Sequence, residues 1–271
     1  METNLTKQYA NGNNPLITGR DKEIELLFLT LMRHEKPNAI LTGAPGVGKT
    51  SIVHQLAYLI ANDLCPKPLL GFQIIEINPN ALLAGPGYRG VTEQKFQEVI
   101  NKSLVSGKTI LFMDEFHTVE HLGEMANGQT PGLGNTLKPY LTRPDFRVIG
   151  ATTDDEYNKM GDKALLRRFF KVNIPEPDDN AVKTIITNCL KAYGKGMVFK
   201  KPIIQQILDL SKTIDGYNPD KAKDITDFIC SYGKLRDIKE ITTDVVSTFF
   251  DHYFLLKKED EPNEIPATIT E

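Results

Sequence analysis

The sequence predicts an α/β protein: a parallel five-stranded sheet with flanking helices, followed by a small all-helical lid. Three observations predict it. Short apolar runs alternate with segments of helical period from Asp21 to Ile174. A glycine-rich segment, Gly43-Ala-Pro-Gly-Val-Gly-Lys49-Thr50, sits at a strand-to-helix junction. Beyond Pro175-Glu-Pro177 the strand signal stops and only helical patterns continue.

Taken in order, residues 1–14 are polar and rich in Asn, and are expected to form a flexible lead. Ile24, Leu27, Phe28 and Leu31 share one helical face. Ala39–Thr42 is a short apolar run ended by glycine, a buried strand, and Lys49–Asp63 follows as a helix. Phe72–Ile77, Thr109–Met113, Arg147–Ala151 and Lys171–Ile174 complete the strands, with a helix over Thr92–Val105. Strands that alternate with helices imply a parallel sheet covered on both faces. The α/β core therefore spans residues 15–177. The helices Ala181–Tyr193, Ile203–Thr213, Pro219–Tyr232 and Thr242–Leu256 form the lid, residues 178–256. The charged, proline-containing tail, 257–271, has too little apolar surface to order itself.

Bulk properties narrow the function. A chain of 271 residues with 40% hydrophobic and 25% charged residues suits one large domain with a smaller satellite. The formal charge of −3 gives no basic excess for a nucleic acid or an anionic membrane. No apolar run is long enough to cross a bilayer, and Met1–Asn14 lacks the pattern of a secretory signal. Cys65, Cys189 and Cys230 are widely spaced, which supports neither zinc nor a disulfide framework. Reduced thiols and a cytoplasmic location are expected.

The segment Gly43–Thr50 matches GxxxxGK[ST] in full, in the strand–loop–helix context that motif needs. Gly43, Gly46 and Gly48 let successive backbone N–H groups turn toward one anion, with Pro45 and Val47 between them. The helix beginning near Gly48, with Ser51 in its first turn, points its positive end at the same place. The nucleotide is expected to be ATP or ADP, with Lys49 reaching the β-phosphate and, in ATP, the γ-phosphate, and the Thr50 hydroxyl binding Mg²⁺. Thr109-Ile-Leu-Phe-Met-Asp114-Glu115 is an apolar strand ending in two carboxylates. Asp114 is placed to hold Mg²⁺ and Glu115 to polarise the attacking water. His117 is read as structural or solvent-facing.

Further motifs follow in a set order and carry a family resemblance. Gly150-Ala-Thr-Thr153-Asp-Asp-Glu156-Tyr157 resembles the sensor 1 segment of AAA+ proteins, with Thr153 facing the γ-phosphate. Ala164-Leu-Leu-Arg167-Arg168-Phe169 is similar to the segment that supplies arginine fingers to a neighbouring subunit. Pro15-Leu16-Ile17-Thr-Gly-Arg20-Asp21 resembles the segment that packs on adenine, and Asn218-Pro-Asp-Lys221-Ala222 the sensor 2 region. Ala84-Gly-Pro-Gly-Tyr88-Arg89-Gly90 is similar to a pore loop whose tyrosine grips unfolded polypeptide. Together these motifs resemble the first ATPase module of the Clp unfoldases and disaggregases.

The resemblance implies the AAA+ strand order, ATP hydrolysis with Mg²⁺, a homo-oligomeric ring (most simply a hexamer), and a polypeptide substrate that an adaptor could deliver. Two departures stand out. Gly87, preceded by Pro86, replaces the usual pore-loop lysine, and Leu166 replaces the usual glutamate before the arginines. Gly123–Gly134 reads equally as a second pore loop or an ordinary long loop. Three functions remain open at this point: a protein-remodelling motor, a nucleotide-gated assembly or scaffold switch, and, opposed by the acidic balance, a nucleic-acid-linked loader.

Overall fold

The computed structural model describes residues 2–12, 17–79, 90–121 and 132–259. The chain divides into two compact units, Met1–Pro177 and Asp178–Glu271.

The first unit is built on a six-stranded sheet in the order β1-β3-β4-β5-β2-β6. Its strands are β1 (Glu2–Asn4), β2 (Ala39–Thr42), β3 (Gln73–Ile77), β4 (Thr109–Met113), β5 (Arg147–Thr152) and β6 (Phe170–Asn173). The five strands read from the sequence are mutually parallel. Alternation along each strand feeds two cores. Leu41, Ile110, Phe112 and Ala151 pack on one face against Leu27, Val53 and Leu56 of helices α2 (Asp21–Leu31) and α3 (Lys49–Ala61). Ile40, Leu111, Met113 and Val148 face the other way, toward Phe96 and Ile100 of α4 (Gly90–Ser106). Burial on both faces is why β2 and β4 read as continuous apolar runs.

Three expectations need correction. The N-terminal residues are not a flexible lead: β1 adds a sixth, antiparallel strand to the edge of β3, and α1 (Leu5–Tyr9) follows it. Ladder bonds hold this segment together with side chains. Asn4 Nδ2 donates to Gln73 Oε1 at 2.9 Å, the Ile74 N–H donates to Thr6 Oγ1 at 2.7 Å, and Leu5 is 1% exposed in the core. Three polar-flanked residues carry no strand pattern, so only the pairing itself reveals β1. The second unit is not wholly helical. It contains α9 (Asp179–Tyr193), α10 (Pro202–Ser211), α11 (Asp220–Leu235) and α12 (Thr243–Glu259), but also a parallel pairing of β7 (Val198–Phe199) with β8 (Glu240–Ile241). Ile186, Ile207, Ile229 and Val246 centre its own core. Finally, α12 continues to Glu259, past the expected start of the tail.

The three cysteines are free thiols. Burial raises the pKa of each, that of Cys230 to about 11, which favours the protonated thiol.

Replacing Leu5 by Ala removes a buried anchor of the N-terminal segment. The expected loss is about 2–5 kcal/mol of stability, read as a lower midpoint in urea denaturation.

Candidate functional site

Strand register gathers the site. Thr42 lies opposite Thr152, and Met113 opposite Gly150. The residues that follow β2, β4 and β5 therefore leave adjacent strands at one carboxyl edge, where open parallel sheets bind ligands. These residues are Gly43, Asp114 and Thr153.

The loop from Gly43 to Gly48 connects β2 to α3, with Pro45 and Gly46 exposed at its tip and Val47 buried beneath. A Cβ on Gly43 would come within 2.3 Å of the Ile174 carbonyl, so only glycine fits there. Gly48 caps α3 in the left-handed region at φ 98°. The first-turn N–H groups of α3, those of Lys49, Thr50 and Ser51, have no partner within their own helix and open toward the loop. Lys49 Nζ donates to the Gly43 and Ala44 carbonyls, each at 2.9 Å. Burial lowers the Lys49 pKa, against the pull of Asp114, Glu115 and Asp154.

Thr50 Oγ1 donates to Asp114 Oδ2 at 2.6 Å. The other carboxylate oxygen, Oδ1, accepts the Glu115 N–H at 2.9 Å. This pairing brings hard oxygen donors together beside an anion-binding loop, so the residues fit a nucleotide with its magnesium ion. Glu115 has φ 49°, a left-handed conformation that is uncommon for a residue with a side chain. It turns the chain so that Phe116 enters the core, where the Phe116 N–H donates to the Ala151 carbonyl at 2.8 Å. His117 Nδ1 lies 2.9 Å from Thr152 Oγ1 and 3.4 Å from Glu115 Oε2.

Thr153 caps α7 (Asp154–Lys159), accepting from the Glu156 N–H at 3.2 Å. Helix α8 (Lys163–Leu166), which leads into the two arginines, is fixed to the acid-pair turn. Glu120 of α5 (Thr118–His121) accepts the Gly161 and Asp162 N–H groups at Oε1, at 2.9 and 2.7 Å, and Asp162 caps α8 while pairing with Lys138 at 2.5 Å. Leu166, in place of glutamate, is buried in the core. Arg167 is exposed, whereas Arg168 is half-buried and its Nη1 donates to the Ala164 carbonyl. The structure thus separates two arginines that the sequence leaves equivalent.

Ile17 lines a groove of about 390 Å³ along α2 and α3 with Ile24, Phe28 and Leu59. Lys221 belongs to the second unit, where Nζ donates to the Ile214 carbonyl at 3.1 Å. Leu16, Tyr88 and Arg89 lie outside the described residues, as does most of Gly123–Gly134; Leu133 opens the short helix α6 (Leu133–Leu137).

One residue with no assigned role in the sequence reading proves central to the loop. Arg20 is 6% exposed. Its Nη2 donates to the Val47 and Pro175 carbonyls, both at 2.9 Å, and its Nη1 pairs with Glu23 at 3.1 Å. The only sequence signal was its place in the Gly19-Arg20-Asp21 segment.

The family model described as "ATPase family associated with various cellular activities (AAA)" matches residues 39–176. The chain belongs to the AAA ATPases. This AAA chain is 39% identical over 229 residues to "Chaperone protein ClpB" of Meiothermus ruber, covering 82% of its own length and 27% of the relative's. It is 37% identical over 230 residues to "Chaperone protein ClpB 1" of Synechocystis sp., covering 82% and 26%. Among solved structures, it is similar to Hsp104 in "Closed State CryoEM Reconstruction of Hsp104:ATPyS and FITC casein". That match has a TM-score of 0.83 and 29% identity, and covers 97% of this chain and 46% of the other. The "S. cerevisiae Hsp104-ADP complex" matches at a TM-score of 0.81 and 29% identity, covering 96% and 46%. The chain therefore spans about a quarter of the curated relatives and just under half of the solved structures. Among the described residues, no helix is long and apolar enough to cross a membrane.

Two substitutions probe the frame of this AAA site. Arg20→Ala removes the donor to both carbonyls, and each carbonyl left without a partner is expected to cost about 1–3 kcal/mol. The readouts are urea denaturation and a weaker ADP titration. A Cβ at Gly150 would lie 2.8 Å from the Phe116 ring. Gly150→Ala is therefore expected to cost about 1–3 kcal/mol and to slow ATP turnover by displacing the turn that carries Glu115.

Proposed function

We propose that the chain is an ATP-hydrolysing motor module that works as a homo-oligomer, most simply a hexamer, to remodel polypeptides in the cytoplasm. The observation that carries this reading is the Thr50–Asp114 hydrogen bond beside Glu115, formed where the phosphate loop and β4 meet. The likeness to Hsp104 along nearly the whole chain supports it.

In this reading the backbone N–H groups from Gly43 to Thr50, with Lys49, hold the phosphates of ATP. Thr50 and Asp114 would hold Mg²⁺, which supplies charge neutralisation at the β- and γ-oxygens. Glu115 orients and polarises the attacking water, and Thr153 faces the γ-phosphate. Leu16 and Ile17 pack on adenine, and Lys221 serves as sensor 2 from the second unit. Arg167, as the exposed member of its pair, is the main finger toward a neighbouring subunit's nucleotide, with Arg168 bracing the helix end. Tyr88 and Arg89 contact the polypeptide, supplied directly or through an adaptor.

A second reading is a nucleotide-gated scaffold switch. It is favoured by one observation, the Pro86-Gly87 pair where the Clp pore loop carries lysine.

Steady-state ATP turnover against protein concentration, with casein or with DNA, tests both readings. Specific activity is expected to rise with concentration, to increase with casein and to ignore DNA. Arg167→Ala is expected to lower turnover by about 10³-fold or more while nucleotide binding persists. Turnover that is independent of both concentration and casein would leave the switch reading standing instead.

A further inference from the structure

Glu115 presents a positional problem that the hydrolytic role alone does not solve. Its backbone is pinned: its N–H bonds to Asp114, and its carbonyl accepts from both the Thr118 N–H and the Thr118 hydroxyl at 2.9 Å. Its side chain is not, being 60% exposed. A flexible carboxylate spread over several rotamers orients a water poorly, and a misplacement of about 1 Å can cost about 10²-fold in rate.

His117 is the neighbour that addresses this. The imidazole is 25% exposed, and its Nδ1 lies 2.9 Å from Thr152 Oγ1. Thr152 is itself 1% exposed and locked in the sheet ladder opposite Thr42. The ring is thus anchored to the end of β5, and the same nitrogen stands 3.4 Å from Glu115 Oε2. This close approach becomes a hydrogen bond to the carboxylate in the Nδ1–H tautomer, with the Thr152 hydroxyl then accepting from the same N–H. If Thr152 donates to a bare Nδ1 instead, the carboxylate is released. The Thr152 hydroxyl and the imidazole together therefore choose between a held and a released Glu115.

We propose that His117 is a positioning residue for ATP hydrolysis, fixing the Glu115 carboxylate relative to the end of β5 through Thr152. This rests on the reading of Glu115 as the group that polarises water. It ties the acid at the end of one strand to the strand that leads directly into Thr153.

The test uses the full chain, with ATP turnover, ADP affinity and thermal midpoint measured for each variant. His117→Ala is expected to lower kcat about 10- to 100-fold, with KM for ATP and ADP affinity changed less than about twofold. His117→Asn sets an amide near the Nδ1 position and is expected to recover most of kcat. Thr152→Val is expected to act in the same direction, and its combination with His117→Ala to be no worse than His117→Ala alone, as for two parts of one unit. An unchanged kcat in His117→Ala overturns the proposal. So does a loss that tracks a lowered thermal midpoint and is shared equally by Ala and Asn, because that marks a purely structural histidine. Glu115→Gln, run in parallel, separates the two layers. If it abolishes turnover while His117→Ala does not slow it, only the positioning role falls; if it turns over normally, the role of Glu115 falls and the inference with it.

Discussion

The hydrogen bond between Thr50 and Asp114 spans a strand. In the sheet order, β5 lies between β4, which carries Asp114, and β2, which leads to the phosphate loop. For Thr50 to reach Asp114, the start of α3 and the turn after β4 must meet over the carboxyl end of β5. That end must therefore stay low. Gly150 leaves room for the Phe116 ring, and the Ala151 carbonyl takes the Phe116 N–H. The acid-pair turn is folded down onto β5, and Phe169, just past the arginines, packs edge-on against Phe116 at 4.9 Å. One crossing thus sets the position of the carboxylates, the small residues of β5 and the seat of the segment after α8.

The phosphate loop is also held from behind. Ile174 continues the ladder, its N–H donating to the Thr42 carbonyl at 2.7 Å, while its own carbonyl presses on Gly43. Arg20 then bonds the Val47 and Pro175 carbonyls with one nitrogen. A guanidinium keeps its charge under burial and presents fixed donors, which suits it to join two carbonyls that no helix or strand satisfies. The N-terminal segment adds a third support. Tyr9 OH lies 2.6 Å from His54 Nδ1, and His54 is one turn beyond Thr50 on α3. Burial lowers the His54 pKa despite Glu76 and Asp114 nearby, so a neutral ring makes this bond at neutral pH.

What the sequence disclosed follows from how each feature is built. The loop Gly43–Thr50 and the run Thr109–Glu115 were legible because their chemistry needs contiguous residues, and because burial on both faces leaves β4 without a polar residue between Thr109 and Asp114. β2 and β5 were legible for the same reason. β1, with three residues, and the two-residue pairing of β7 with β8 were not, since their stability comes from backbone ladders and not from side-chain period. Arg20 and His117 were illegible as partners because their bonds join positions 155 and 35 residues apart. The unequal exposure of Arg167 and Arg168 depends on the last turn of α8, which a doubled arginine does not specify.

The electrostatics of the site explain why its parts must work together. Three carboxylates, those of Asp114, Glu115 and Asp154, act on Lys49, yet burial still outweighs them and lowers its pKa. Desolvation is therefore the larger force at the loop, and a bare carboxylate there would repel the phosphates that the loop is shaped to receive. The conflict is resolved by geometry. Asp114 commits one oxygen to Thr50 and the other to the Glu115 N–H, so its charge is spread over donors. Glu115 is turned by its left-handed backbone, and its side chain is left exposed. Solvent screens the charge of an exposed carboxylate, but its side chain is then free to wander. The exposure that screens Glu115 thereby creates the need for a contact that holds its side chain in place.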